Sequence, residues 1–184
     1  ERRQAGSGGS RAGSPRETSN IIPAVTATDR SPRSRFAPYA VAGDIDYSFS
    51  PDSKEVAFLK NPDKVEAIST NSDVWVVSVN GGAARNITAQ NRGYEDSPIY
   101  TDDGKSILYR SQATAGFEAD RWRLMSYDRA SGTSRELLRG FNLSVEDIVP
   151  SPDGGTIYFS TGERGRHTVY RVPVSGGAAI TLLA

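Results

Sequence analysis

Phe117, Glu118, Asp120, Arg121, Trp122 and Arg123 crowd carboxylates, guanidinium groups and aromatic rings into one short stretch of this 184-residue chain. Such a mixture suits two tasks. Its charges can grip the charged terminus of a peptide through charge-assisted hydrogen bonds, or its Trp and Arg side chains can anchor a partner surface. A third arrangement turns the same charges inward, with Asp120 paired to Arg121 or Arg123 so that the segment is held against its own sheet. A second polar run, Lys64, Glu66, Ser69, Thr70 and Asn71, reads first as turn-forming side chains that bond their own backbone. Glu66, Ser69 and Asn71 are its candidates for a secondary binding role.

Bond-breaking chemistry finds no home in the sequence. A serine nucleophile on a strand-to-helix elbow needs Gly-x-Ser-x-Gly. The Ser residues beside Gly fail it, because Ala5 lies two before Ser7, Ala12 two after Ser10 and Pro173 two before Ser175. The one histidine, His167, is expected in a loop ahead of the third strand of its unit, without the nucleophile and orienting acid that a general base requires. The absence of cysteine removes disulfides, thiolate metal sites and a Cys nucleophile. Acid pairs such as Asp44 and Asp46, Glu95 and Asp96, or Asp102 and Asp103 lack the alternating acids, turn glycine and closing Glu of a calcium loop. No catalytic residue, metal or cofactor is expected in this chain.

The elements that must position the polar stretches come from a repeated cassette. Tyr47 to Lys54, Ile99 to Lys105 and Val149 to Gly155 each run from an apolar strand into an acidic turn, and a second apolar strand follows each time. The turn residues Asp52, Asp103 and Asp153 are 51 and 50 residues apart, and a fixed period of that size marks a repeat architecture. The first unit divides into strands at 46–49, 56–60, 73–79 and 85–88. The second gives 97–100, 107–110, 123–127 and 135–138, and the third 147–149, 156–160, 168–174 and 179–183. The turns at Gly81-Gly82 and Gly176-Gly177 supply positive φ at little cost.

Four antiparallel strands per unit predict an all-β fold of β-propeller blades, about three of them, at roughly 46–90, 95–140 and 145–184. A β-sandwich is the structural alternative. Rings typically close with about four to eight blades, so three blades predict an incomplete ring. It would be part of a larger propeller, or would pair its open edges with another copy. The loops between second and third strands, 61–72, 111–122 and 161–167, are unequal in length, and such loops are where repeat proteins place function. They project from one end of the blades and the tight acidic and Gly-Gly turns from the other. Trp75 and Leu124, assigned to equivalent places in third strands, are expected to pack between blades.

Composition agrees with a folded domain: 36% of residues are hydrophobic and 24% charged. Twenty-two basic residues balance 22 acidic ones, so no net field favours nucleic acid or an anionic membrane. No apolar run approaches the roughly 18 residues of a membrane span. Residues 1–20, rich in Gly, Ser and Arg, are expected to be a flexible arm without the interleaved aromatics that stack on bases. Residues 21–45 are a transitional edge segment.

The acidic turns followed by Val56-Ala57-Phe58 or Ile107-Leu108-Tyr109 resemble the TolB-like and WD-like repeats of many bacterial proteins. Residues 61–77 and 109–124 look like the amino-terminal propeller of bacterial prolyl oligopeptidase family serine peptidases, of the acylaminoacyl peptidase and dipeptidyl aminopeptidase type. The likeness covers about residues 40–184. Two positions depart from it, with Thr101-Asp102 in place of Ser-Pro and Pro150 where an aromatic is usual.

That resemblance implies a propeller capping an α/β-hydrolase domain that carries a Ser, Asp and His triad elsewhere in the same parent chain. It implies that the propeller admits short peptides, and it suggests Glu118 as the carboxylate that meets a free amino terminus, among Asp120, Arg121, Trp122 and Arg123. On this reading the chain is a non-catalytic segment of a serine peptidase that gates peptide access and docks the hydrolase domain. The alternative is a stand-alone TolB-like module that binds protein partners. Peptide specificity and compartment, whether periplasmic, secreted or cytoplasmic, stay open on either reading.

Overall fold

The computed structural model describes residues 46–64 and 69–183. The expected arm at 1–20, the edge segment at 21–45 and the candidate Glu66 lie outside them. Among the described residues, short alternating apolar runs bounded by turn residues fold into twelve strands. These are β1 (Tyr47–Phe49), β2 (Glu55–Lys60), β3 (Asp73–Ser78), β4 (Arg85–Asn86), β5 (Glu95–Tyr100), β6 (Ser106–Ser111), β7 (Arg123–Asp128), β8 (Thr133–Glu136), β9 (Ile148–Pro150), β10 (Thr156–Glu163), β11 (Arg166–Pro173) and β12 (Ile180–Leu183).

The strands make three four-stranded antiparallel sheets, each following chain order. The all-β, four-strand expectation holds, and the sheets do not close into a ring among the described residues. No helix there is long and apolar enough to cross a membrane.

The acidic turns repeat at atomic level. Ser50 Oγ donates to Asp52 Oδ1 at 2.7 Å and Thr101 Oγ1 to Asp103 Oδ1 at 2.8 Å, while Ser151 Oγ donates to Asp153 Oδ1 in the third unit. The same carboxylate oxygens accept the backbone N–H groups of Lys54, Lys105 and Gly155. Thr101 therefore does the work of the serine it replaces. These bonds favour the charged form and hold all three carboxyls below the usual range, led by the hydroxyl bond at Asp52 and Asp153 and by the Lys105 amide at Asp103.

At the other turns Gly81, Gly82, Gly176 and Gly177 all take positive φ, as the Gly-Gly pairs require.

Two differences from expectation have clear causes. Strand β8 lies earlier than 135–138, because Leu137 and Leu138 leave the sheet and fill the core at 1% exposure each. The third unit has no open loop at 161–167. Strands β10 and β11 stay paired out to Glu163 and Arg166, closed by Arg164 and Gly165 at φ 51° and 77°, the backbone of a two-residue hairpin turn. His167 consequently sits in β11, paired with Gly162, with Nδ1 3.0 Å from Glu146 Oε2.

The core lies between sheets. Ala57, Val74 and Val76 meet Tyr100, Ile107, Tyr109 and Tyr127 between the first and second sheets. Leu108, Leu124, Leu137 and Leu138 meet Ile148, Ile157, Phe159 and Val172 between the second and third. The β2–β3 and β6–β7 registers make Val74, not Trp75, the counterpart of Leu124. Trp75 lies in register with Phe58 and Asn86 on the opposite face, with Lys60 Nζ 5.0 Å from its ring centroid.

Candidate functional site

The β2–β3 loop and the β6–β7 loop emerge at the same end of adjacent sheets and touch, where Gly116 N–H donates to Thr70 Oγ1 at 2.9 Å. Beside that contact is an open depression of about 470 Å³ lined by Asp63, Lys64, Asn71, Arg92, Thr70 and Gly116 among others. Asn61 Oδ1 accepts the Asp63 N–H at 2.8 Å, Ser69 Oγ donates to Asp63 Oδ2 at 2.6 Å, and Asn71 N–H donates to Ser69 Oγ at 3.0 Å. Ser69 and Asn71 thus build the loop, as their turn-forming chemistry suggests. The Ser69 hydroxyl, then the Asn71 amide and the nearby Arg92 cation, hold the Asp63 carboxyl low.

The β6–β7 loop is held from within. Gln112, 3% exposed, donates through Nε2 to the carbonyls of Glu118 at 2.9 Å and Asp120 at 2.8 Å. Asp120 Oδ2 accepts the N–H groups of Ala113 at 2.9 Å and Thr114 at 2.8 Å, and Oδ1 accepts that of Arg121 at 2.8 Å. Burial pushes this carboxyl up, but the amides of Thr114, Arg121 and Ala113 outweigh it and leave it below the usual range. The loop is closed by backbone amides on Asp120, not by an Asp120 pair with Arg121 or Arg123.

The neighbouring residues are engaged too. Arg121 Nη2 bonds Glu136 Oε1 at 3.1 Å. Arg123 donates to Ser111, to its carbonyl at 3.2 Å and its Oγ at 3.0 Å. Trp122 stands between the Tyr94 ring, edge-on at 5.4 Å, and the Arg110 guanidinium, 4.8 Å from its centroid. Arg110 also forks onto Asp96 and reaches the carbonyls of Val145 and Glu146.

Of the cluster found in sequence, Glu118 is the exposed acid, and its carboxylate has no hydrogen-bond or ion-pair partner among the described residues. Phe117 beside it is 53% exposed.

Beneath the loop lies a group that sequence reasoning passed over. Glu95 is fully buried, and its Oε1 accepts from Asn91 Nδ2 and from Ser111 Oγ at 3.0 Å. Asn91 Nδ2 also donates to the Gln112 carbonyl at 2.7 Å. Gly93 lets that carbonyl approach, since a Cβ there would stand 2.1 Å from Gln112 O. Desolvation raises the Glu95 carboxyl to about 8 against the bonds from Asn91 and Ser111. In sequence Glu95 was only half of an acid pair, and the strand expected at 97–100 begins two residues earlier, at Glu95. Among the described residues no three His, Cys, Asp or Glu are grouped to hold a metal.

No family model matches the chain. Dipeptidyl-peptidase 5 of Porphyromonas gingivalis is 30% identical over 138 residues, covering 74% of this chain and 20% of that protein. Among solved structures, a TolB-type protein from Agrobacterium tumefaciens superposes with a TM-score of 0.58 at 25% identity over 76% of this chain and 46% of its own. The chain has a TolB-like propeller fold and is similar in sequence to part of a dipeptidyl-peptidase. It spans about a fifth of the length of the curated relatives it matches, 20% in each of the first. Pyrococcus horikoshii acylaminoacyl peptidase, at 14% identity and a TM-score of 0.51 over 69% of this chain and 22% of its own, shares the propeller fold.

Proposed function

We propose that this propeller gates the entry of short peptides to a catalytic α/β-hydrolase domain of its parent chain, and that the β6–β7 loop orients the peptide's free amino terminus through Glu118. The observation that carries the reading is an uncommitted, exposed carboxylate on a loop whose backbone is fixed by Gln112 and Asp120. Preorganised charge of this kind binds without the entropy cost of ordering a loop. The Phe117 ring gives the loop an apolar contact for a peptide side chain or for the docked hydrolase domain. Likeness to dipeptidyl-peptidase 5 supports a peptide with a free amino end as the substrate class.

Gating is tested by excising residues 113–119 from the full-length protein and bridging the gap with two glycines. Hydrolysis of peptides too long for the wild type is expected to rise relative to dipeptide substrates. An unchanged length profile would contradict the gate. The TolB likeness favours a second reading, a protein-interaction module unconnected to hydrolysis, and a full-length protein without peptidase activity would support it.

A further inference from the structure

Glu95 is 0% exposed, yet only one of its two carboxyl oxygens is satisfied. Oε1 has Asn91 and Ser111, while Oε2 is buried with no hydrogen-bond partner among the described residues. A buried carboxylate oxygen that no donor reaches is far more costly than the same oxygen in a neutral acid. The site therefore favours the neutral acid.

The cage around that acid is the stem of the β6–β7 loop. Asn91 Nδ2 is shared between Glu95 Oε1, Ser111 Oγ and the Gln112 carbonyl, and Gln112 in turn holds the carbonyls of Glu118 and Asp120. The Glu95 N–H bonds the Ser72 carbonyl at 2.8 Å, which ties the same point to the first sheet.

We infer that Glu95 is a positioning residue for the β6–β7 loop: as a neutral acid it lets Asn91 and Gln112 close over it in the arrangement that shapes residues 113–120, and as a carboxylate its donor-less Oε2 must be hydrated, which opens that stem although the Asn91 and Ser111 bonds to Oε1 themselves favour the charge. Its significance for peptide capture rests on the role proposed for Glu118, but the structural claim does not. The charged and titratable groups around Glu95 come from three strands. Asp73 of β3 opposes ionisation, Arg123 of β7 favours it, and Tyr109 of β6 also feels its charge. Arg123 is already committed to Ser111 Oγ and carbonyl. Charge on Glu95 must therefore draw in water or pull Arg123 from Ser111, and either change opens the stem of the loop.

The test is amide hydrogen exchange in the full-length protein from about pH 6.5 to about pH 9, corrected for the intrinsic pH dependence of exchange. The amides to follow are Ala113, Thr114, Gly116, Phe117, Asp120 and Arg121, each bonded within the loop or to Thr70. Their protection in the wild type is expected to fall about tenfold or more as the buried acid titrates, with a midpoint near 8. Glu95→Gln, which mimics the neutral acid, is expected to flatten that profile, with the β10–β11 hairpin unchanged in both proteins.

A flat wild-type profile overturns the inference, and so does an equal step in Glu95→Gln. Should Glu95→Gln not fold, the wild-type profile decides together with Asn91→Ala, which is expected to lower loop protection at every pH. Asn91→Ala with wild-type protection and pH profile would overturn the relay. None of these readouts involves peptide, so they separate this claim from the role of Glu118.

Discussion

Between the second and third sheets Leu108, Leu124, Leu137, Leu138, Val145, Ile148, Ile157, Phe159 and Val172 meet as an apolar wall. The contact between the first and second sheets replaces much of that hydrocarbon with tyrosines whose hydroxyls are all engaged. Tyr100 donates to Glu55 at 3.0 Å, Tyr127 accepts from Arg85 at 2.6 Å, and Tyr109 donates to Ser134 at 2.8 Å. Arg129 spans this contact, with Nη2 2.5 Å from Glu55 and Nη1 2.6 Å from the Gly104 carbonyl. The nine residues of the apolar wall carry no ionisable side chain. The mixed contact carries the two long loops, Glu95 and the depression beside Thr70. One repeat unit thus serves as scaffold on one side and as support for a site on the other.

The largest effect expected from this contrast is on the apolar side. Phe159→Ala leaves a cavity where Phe141 packs edge-on at 5.5 Å and Tyr170 stacks at 5.5 Å, and should cost about 3–5 kcal/mol in denaturant unfolding. A loss of less than ~1 kcal/mol would erase the distinction between the two contacts.

A smaller and more local loss is expected from Gly93→Ala on the mixed side. With a Cβ 2.1 Å from Gln112 O, strand β6 and its loop must shift, at about 1–3 kcal/mol. The diagnostic result is a raised KM for peptides alongside an intact β10–β11 hairpin. Full stability with unchanged kinetics would show that the loop does not depend on this close approach.

The contact that holds Glu95 also responds to pH. The raised Glu95 pKa means that the folded state keeps a proton the unfolded state has lost. Its stabilising contribution is therefore present below the usual carboxyl range and is lost as pH rises through about 8. The turn aspartates act in the opposite sense, because their depressed values give stability that is lost as pH falls through them.

Much of the scaffold was legible in the sequence, since strand periodicity and turn chemistry are local properties. Asp52, Asp103 and Asp153 announced their turns, and the Gly-Gly pairs announced theirs. The Arg164-Gly165 hairpin was hidden because arginine gives no sign of a positive φ, and the Trp75 register was misread by one residue, enough to reverse its face. The site was less legible. Glu118 stood out by its neighbours, but the shared donor of Asn91 and the two bonds of Gln112 come from residues that are distant from Glu118 or unremarkable in type. Such networks are set by tertiary approach, which no single stretch of sequence encodes.

The most direct test of the account compares Glu118→Gln with the wild type in the full-length protein, using dipeptide substrates with free and with acetylated amino termini. Loss of one charge-assisted bond to an ammonium group predicts about a tenfold rise in KM for the free substrates, with the acetylated ones unaffected. Unchanged KM for both substrate classes would remove Glu118 from the site and contradict the account.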